Sequence, residues 1–192
     1  IFMQGRAPYR FMKPLRMSLF LSANEDDVRE AIDMGFAAGR VMGHAAPDDG
    51  DTDLRIAFDF DGVLADDSAE RVFQSEGLDG YQESESALAE VPLSRGPMAD
   101  FLEKINRIQG IEESKSLDDP SGYRRRVHVA VVTARSAPAH ERAINSIGQW
   151  GLRVNDAFFL GGIDKGPILE VLRPHIFFDD QRRHVEGAAL ST

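Results

Sequence analysis

The sequence predicts an α/β fold: a three-layer, Rossmann-like arrangement in which a parallel sheet is covered by helices on both faces. Apolar runs of strand length alternate along the chain with segments of helical spacing. The runs Ile56–Phe60 and Val127–Val132 are apolar almost throughout, as strands are when both of their faces are buried. Chemically capable residues stand just after these runs, at the strand ends where ligands of such sheets bind.

Each element has its own signal. Met17–Leu21 is a short strand run, and Asn24 reads as a helix N-cap. Glu25, Asp26 and Asp27 then complement the dipole in the first turn, and Val28, Ile32, Phe36 and Gly39 continue at helical spacing. Residues 44–53 form a polar connection containing Pro and Gly. Ile56–Phe60 is the first central strand. Residues 63–96 break the pattern, rich in Gly, Ser and Glu with short apolar groups around Val72, Phe73, Leu88 and Val91, and read as a small helical insert. Pro97 opens a helix whose apolar face is Phe101, Leu102, Ile105 and Ile108. The mixed charge of residues 111–126 predicts a long surface loop. Val127–Val132 is a buried strand. A helix starts at Ser136 and Pro138, runs through Ala143, Ile144, Ile147 and Trp150, and stops at Gly151. Ala157–Leu160 and Ile176–Phe178 are further strands, with a helix from near Pro167 between them and a last helix after Gln181.

Composition narrows the functional classes. The 192 residues suit one domain, residues 1–192, with a real core and a small insert. There are 32 acidic against 22 basic residues, a net charge of −10. Such a chain is a poor nonspecific binder of nucleic acid polymers or anionic membranes. The absence of cysteine excludes disulfides, thiolate catalysis and Cys-ligated zinc. No apolar run approaches the roughly 18–20 residues of a membrane span. Residues 1–10 lack the apolar stretch and cleavage site of a signal peptide. With no initiating Met, the chain reads as lacking an N-terminal part of a longer protein. A cytoplasmic location is expected, and homo-oligomerisation is compatible with the sequence.

Four strand ends carry chemistry. The first offers Asp59-Phe60-Asp61-Gly62-Val63. A lone Asp-x-Asp is more often a solvated loop pair, but Asp59 lies within an apolar run and Gly62 permits an abrupt turn. Extended backbone would place Asp59 and Asp61 on one face, where two carboxylates repel unless a cation or proton sits between them. The second end is Thr133-Ala134-Arg135. Alone it reads as a strand end with a surface Arg; its functional reading is a hydroxyl, the Ala134 N–H and a cation aimed at an anion. Lys165, before Gly166-Pro167, is by itself an ordinary loop Lys, or else a cation leaning over a phosphate. Asp179-Asp180 closes the last strand and reads either as a solvated turn or, at least as well, as an oxygen-ligand Mg²⁺ site. The five histidines show no metal-ligand spacing, His128 reads as a strand residue, and none is assigned a catalytic role.

The order Asp-x-Asp, Thr, Lys, Asp-Asp on successive strand ends resembles the four motifs of the haloacid dehalogenase superfamily of phosphatases. The stretch from Val131 (VVTARSAPAHERAINSIGQWGLRVNDAFFLGGIDKGPILEVLRPHIFFDDQRRHVEGA) is similar to cytosolic type I 5′-nucleotidases. So are LFLSANEDDVREAIDMGFAAGRV and FDFDGVLADDSAERV. The resemblance covers most of residues 15–190 and is weakest over 63–96.

The resemblance implies a Mg²⁺-dependent hydrolase of nucleoside 5′-monophosphates. Asp59 would be the nucleophile, forming an aspartyl-phosphate. Asp61 would be general acid and then base, in surroundings that raise its pKa. Mg²⁺ would be held by Asp59, the Asp61 backbone oxygen and the Asp179–Asp180 pair, Asp180 being the favoured direct ligand. Thr133, Ala134, Arg135 and Lys165 would hold the phosphate. The 63–96 insert stands where this superfamily places a cap, and Phe73 and Tyr81 could stack a base, although each taken singly reads first as cap core. One alternative is a phosphatase of the same superfamily acting on a sugar phosphate or another small monoester. A second is a phospho-accepting receiver module, whose acidic pair comes first in sequence rather than last.

Overall fold

The computed structural model describes residues 8–42, 50–120, 122–181, 184 and 185. Its central sheet holds four parallel strands in the order β5-β4-β3-β6, with β3 at Leu54–Phe58, β4 at Val127–Thr133, β5 at Asp156–Phe159 and β6 at Ile176–Phe178. Ile56 lies beside Val129 and Ile176, and Phe58 beside Val131 and Phe178. Because side chains alternate along a strand, one set faces each side. Ile56, Phe58, Val129, Val131 and Phe178 pack with Leu102 and Ile105 of α3 (Ala99–Asp118) and Ala143 and Ile147 of α4 (His140–Gln149). Ala57, Ala130 and Val132 pack with Leu169 of α5 (Gly166–Leu172) on the other face. These are the three predicted layers. His128 lies in β4 as expected.

Before the sheet, β1 (Phe20–Ser22), α1 (Glu25–Asp33) and β2 (Ala38–Arg40) form a separate parallel pair and its crossover helix, around Tyr9, Met12, Phe20, Val28, Ala31 and Ala38. Asn24 caps α1 as predicted, its side chain accepting from the Asp26 N–H at 3.0 Å. The expected extension of this helix to Phe36 and Gly39 fails. Gly35 turns left-handed at φ 78°, the Phe36 N–H returns to the Ala31 carbonyl, and the chain enters β2. Strand pairing with β1 overrides the helical spacing there, and Ile32 is left exposed. The first strand starts at Phe20 rather than Met17, and β3 ends at Phe58, so Asp59 and Phe60 lie just past it.

The insert contains one long helix, α2 (Ser68–Ala87), kinked at Gly77. The predicted loop at 111–126 is corrected: α3 runs on to Asp118, and the loop covers only residues 119–126. Glu112 explains why. It is buried and accepts from the Tyr123 hydroxyl and the Arg126 and Val127 N–H groups, each at 3.1 Å, tying the end of α3 to the start of β4. Read as surface charge, Glu112 concealed this anchor. Ile108 and Ile144, predicted to be buried, are exposed, since their helices turn neighbouring residues toward the sheet. Gly151, at φ 69°, ends α4, and Trp150 stacks on Phe60 at 6.0 Å. The next strand is Asp156–Phe159, one residue earlier than expected, and Ile176–Phe178 is a strand as predicted. Residues 44–49, including His44, and nearly all of the expected last helix lie outside the described residues.

Candidate active site

The parallel strands bring their C-terminal ends together, and the predicted residues collect there. Asp59 follows β3, its backbone N–H bonded to the Phe178 carbonyl of β6 at 2.8 Å. Asp59 is 4% exposed, and Oδ1 accepts from the Phe60 N–H at 2.7 Å. The Nζ of Lys165, itself buried, lies 2.8 Å from Asp59 Oδ2 and 2.6 Å from Asp179 Oδ2. One ammonium thus bridges two carboxylates from different strand ends. Burial pushes the Asp59 carboxyl from its ordinary 3.8 up to about 7, against the pull of Lys165 and helped by Asp179. Asp180, open to solvent on one side, is raised as well, by partial desolvation and by Asp179 beside it.

Gly62 makes this packing feasible. Its φ is 72°, and a Cβ there would lie 2.5 Å from Asp180 Oδ2. β3 ends at Phe58, so, contrary to expectation, neither aspartate lies in the strand; Asp59 and Asp61 keep extended backbone and the chain turns sharply at Gly62. Asp61 Oδ2 and Oδ1 instead accept from Arg135 Nε at 2.8 Å and Nη2 at 2.7 Å.

Thr133 ends β4 and is buried, its hydroxyl oxygen accepting from the Arg135 N–H at 3.3 Å. Ala134 is exposed, its carbonyl accepting from the Gly162 N–H. Arg135 departs from its expected role. Its side chain is 1% exposed and bonds Asp61, Glu85 and the Ala139 carbonyl, so its donors are spent within the protein rather than aimed at an anion. It lies 5.0 Å from the Phe60 ring and 5.9 Å from the Tyr81 ring. Burial opposes its charge, and the bonds to Asp61 overcome this, holding the guanidinium firmly protonated. Phe73 and Tyr81 meet edge-to-face at 5.9 Å across the α2 kink, with Phe73 43% exposed. Burial raises the Tyr81 phenol well above its ordinary value.

Three residues escaped the sequence reading. His184 Nδ1 stands 3.1 Å from Asp179 Oδ2. Among the described residues, Asp59, Asp179 and His184 form a group whose ligand atoms lie within 4.8 Å of one another, an acidic cluster able to hold a divalent metal. Glu85 and Arg142, 2.7 Å apart, are buried behind Arg135. The weak signals are a His four residues after the acidic pair and a Glu in a run of Ser and Glu. A cavity of about 330 Å³ opens beside Asp179 and Asp180, walled by Ala38, Arg40 and Met42 on one side and Val63, Pro97 and Met98 on the other.

The family model for 5′-nucleotidase matches residues 1–192. The chain belongs to the 5′-nucleotidase family. It is 37% identical over 189 residues to human cytosolic 5′-nucleotidase 1B. That alignment covers 96% of this chain and 30% of the relative, so the chain spans about three-tenths of that protein's length. No solved structure matches it. Asp59, Thr133 and Asp179 stand at or just past the C-terminal ends of strands of the parallel sheet, and no helix among the described residues is long and apolar enough to cross a membrane.

Proposed function

We propose that this chain is the catalytic unit of a cytoplasmic, Mg²⁺-dependent 5′-nucleotidase that hydrolyses nucleoside 5′-monophosphates to nucleoside and inorganic phosphate. The observation that carries this reading is Lys165 bridging Asp59 and Asp179, all three side chains buried, at the sheet's C-terminal edge. Among the described residues carboxylates outnumber cations there, and crowded carboxylates call for a cation. The donor set fits Mg²⁺: Asp59, the Asp61 backbone oxygen, Asp179 and Asp180 would hold it through hard oxygens. When bound, the metal supplies positive charge that lets a phosphate dianion approach a carboxylate.

In this mechanism an Asp59 carboxylate oxygen attacks phosphorus as the P–O5′ bond breaks, leaving the phosphoryl group on Asp59. Asp61 gives a proton to the departing ribose oxygen. It then takes a proton from the water that attacks the aspartyl-phosphate, releasing phosphate and freeing Asp59. The Thr133 hydroxyl and the Ala134 N–H orient the phosphoryl oxygens, and Lys165 neutralises charge on them. Arg135 serves Asp61 rather than the phosphate. The insert carrying α2 acts as a cap, with Phe73 and Tyr81 on the nucleoside side. A receiver module is disfavoured by the order of the motifs along the chain, the acidic pair being last.

The test is phosphate release from AMP, IMP, GMP, CMP, UMP and their deoxy forms, with sugar phosphates alongside. Nucleoside monophosphates should lead by kcat/KM. Activity should vanish in excess chelator and return with Mg²⁺. Preference for a sugar phosphate would transfer the reading to another phosphomonoester, and full activity in chelator would remove the metal from it.

A further inference from the structure

α2 meets the core through few apolar side chains, Ala69 and Tyr81 among them, and is tied down by buried charge as well. Of its 20 residues only Ala69 and Glu85 are buried. Glu85 Oε1 lies 2.7 Å from Arg142 Nη1 on α4, and Oε2 pairs with Arg135 Nη1. Arg142 Nε also donates to the Val91 carbonyl at 2.9 Å, near the end of the insert. A buried ionic set of this kind is a weak source of stability, because desolvation consumes most of the Coulombic gain and apolar residues of similar volume do as well or better. Its geometry is the more informative property. The set runs unbroken from the insert to Asp61: Arg142, Glu85, Arg135, Asp61, with side chains 10%, 2%, 1% and 23% exposed. Only Asp61 is appreciably open.

Arg135 grips both oxygens of Asp61 through a planar fork, which fixes the direction of a carboxylate as well as its place. Each oxygen keeps a further lone pair for the proton it exchanges. Arg135 is fixed in turn by Glu85, by the Ala139 carbonyl and by the Phe60 ring beneath it. Asp61 sits on the sharp turn after β3, where its own backbone leaves the side chain's direction unspecified by the sheet.

We propose that Arg135 and Glu85 are positioning residues for the proton-transferring carboxylate of Asp61, and that the insert helix, through Glu85, is thereby part of the proton-transfer apparatus. This rests on the 5′-nucleotidase reading above. Neither residue touches substrate. Their effect falls on the two proton transfers of Asp61, and kcat/KM reads the one in which the leaving oxygen takes a proton.

The experiment compares kcat/KM for a nucleoside monophosphate, whose leaving ribose oxygen needs a proton, with that for p-nitrophenyl phosphate, whose leaving group does not. In both cases kcat/KM reports the step that phosphorylates Asp59. Wild-type protein is measured first: no phosphate release from either substrate overturns the nucleotidase reading and this inference with it. With wild type active, Glu85→Gln should lose about tenfold or more on the nucleotide, part of the ~10²–10⁴ that acid–base help is worth. It should stay within about twofold on p-nitrophenyl phosphate, as Arg135→Lys should. A merely structural tether lowers both substrates together. Equal losses, a larger loss on p-nitrophenyl phosphate, or no loss on either overturns the proposal. If Glu85→Gln does not fold, the charge-neutral pair Glu85→Met with Arg142→Met carries the same comparison with the same criteria.

Discussion

Two clusters of buried charge flank the turn after β3, and they are balanced differently. In one, among the described residues, Asp59 and Asp179 share Lys165, with His184 beside Asp179 and the exposed Asp180 next in the chain. In the other, Asp61 and Glu85 are matched by Arg135 and Arg142. In the first, burial above all, with Asp179 adding to it against the pull of Lys165, makes the Asp59 carboxyl hold its proton up to about 7. The second is closed, with donors and acceptors paired from four separate segments. An unbalanced cluster is built for something that arrives, whereas a balanced one holds something in place. Neutralising a carboxylate should therefore have opposite effects on stability in the two regions.

The largest expected effect is on turnover. Asp59→Asn keeps the shape of the side chain but cannot attack phosphorus, so phosphate release should fall at least a thousandfold, about 4 kcal/mol in the barrier, with the circular dichroism spectrum unchanged. Retention of a tenth of wild-type kcat would exclude Asp59 as nucleophile. In the balanced cluster, Glu85→Gln leaves two guanidiniums facing one carboxylate. Breaking a buried pair typically costs ~3–5 kcal/mol, and urea unfolding should show a loss of that size. A loss below about 1 kcal/mol would mean that water reaches the cluster.

The pH dependence sharpens the contrast. The folded chain raises the Asp59 carboxyl from 3.8 to about 7. Between these values the folded state keeps a proton that the unfolded state has released, so this group makes stability fall as pH rises from about 4 to about 7 and level off above. The total is on the order of 4 kcal/mol at 1.36 kcal/mol per pH unit. In chelator, Asp59→Asn should lack this component and be more stable than wild type at pH 8. An unchanged slope in the variant would place the titration elsewhere. The smallest effect should come from Glu112→Gln, remote from both clusters. The amide oxygen replaces only one of two accepting oxygens for the Tyr123, Arg126 and Val127 donors. A cost of ~1–3 kcal/mol is expected, with kcat unchanged.

The strands and their chemical ends were legible because both have local causes. A strand buried on two faces must be apolar along its length, as Val127–Val132 is, and parallel strands bring their C-terminal ends to one edge. The sequence alone therefore puts Asp59, Thr133, Lys165 and Asp179 at that edge. Asn24 and Gly151 were legible for the same reason, since a cap is satisfied by its own neighbours. The end of α1 was not, because pairing with β1 claims residues 38–40.

Tertiary structure alone decided what the charged residues do to one another. In sequence Arg135 looks toward an anion from outside; in the fold its partner is Asp61, 74 residues away, backed by Glu85, 50 residues away. Glu85 and Glu112 sit among other acids in sequence, and nothing local distinguishes them from solvated neighbours. Burial and pairing of charge depend on which helices the sheet brings together, and that is a property of packing across the chain. Composition and spacing specify where each element lies; only the folded arrangement sets which charges lose water and which partner compensates them.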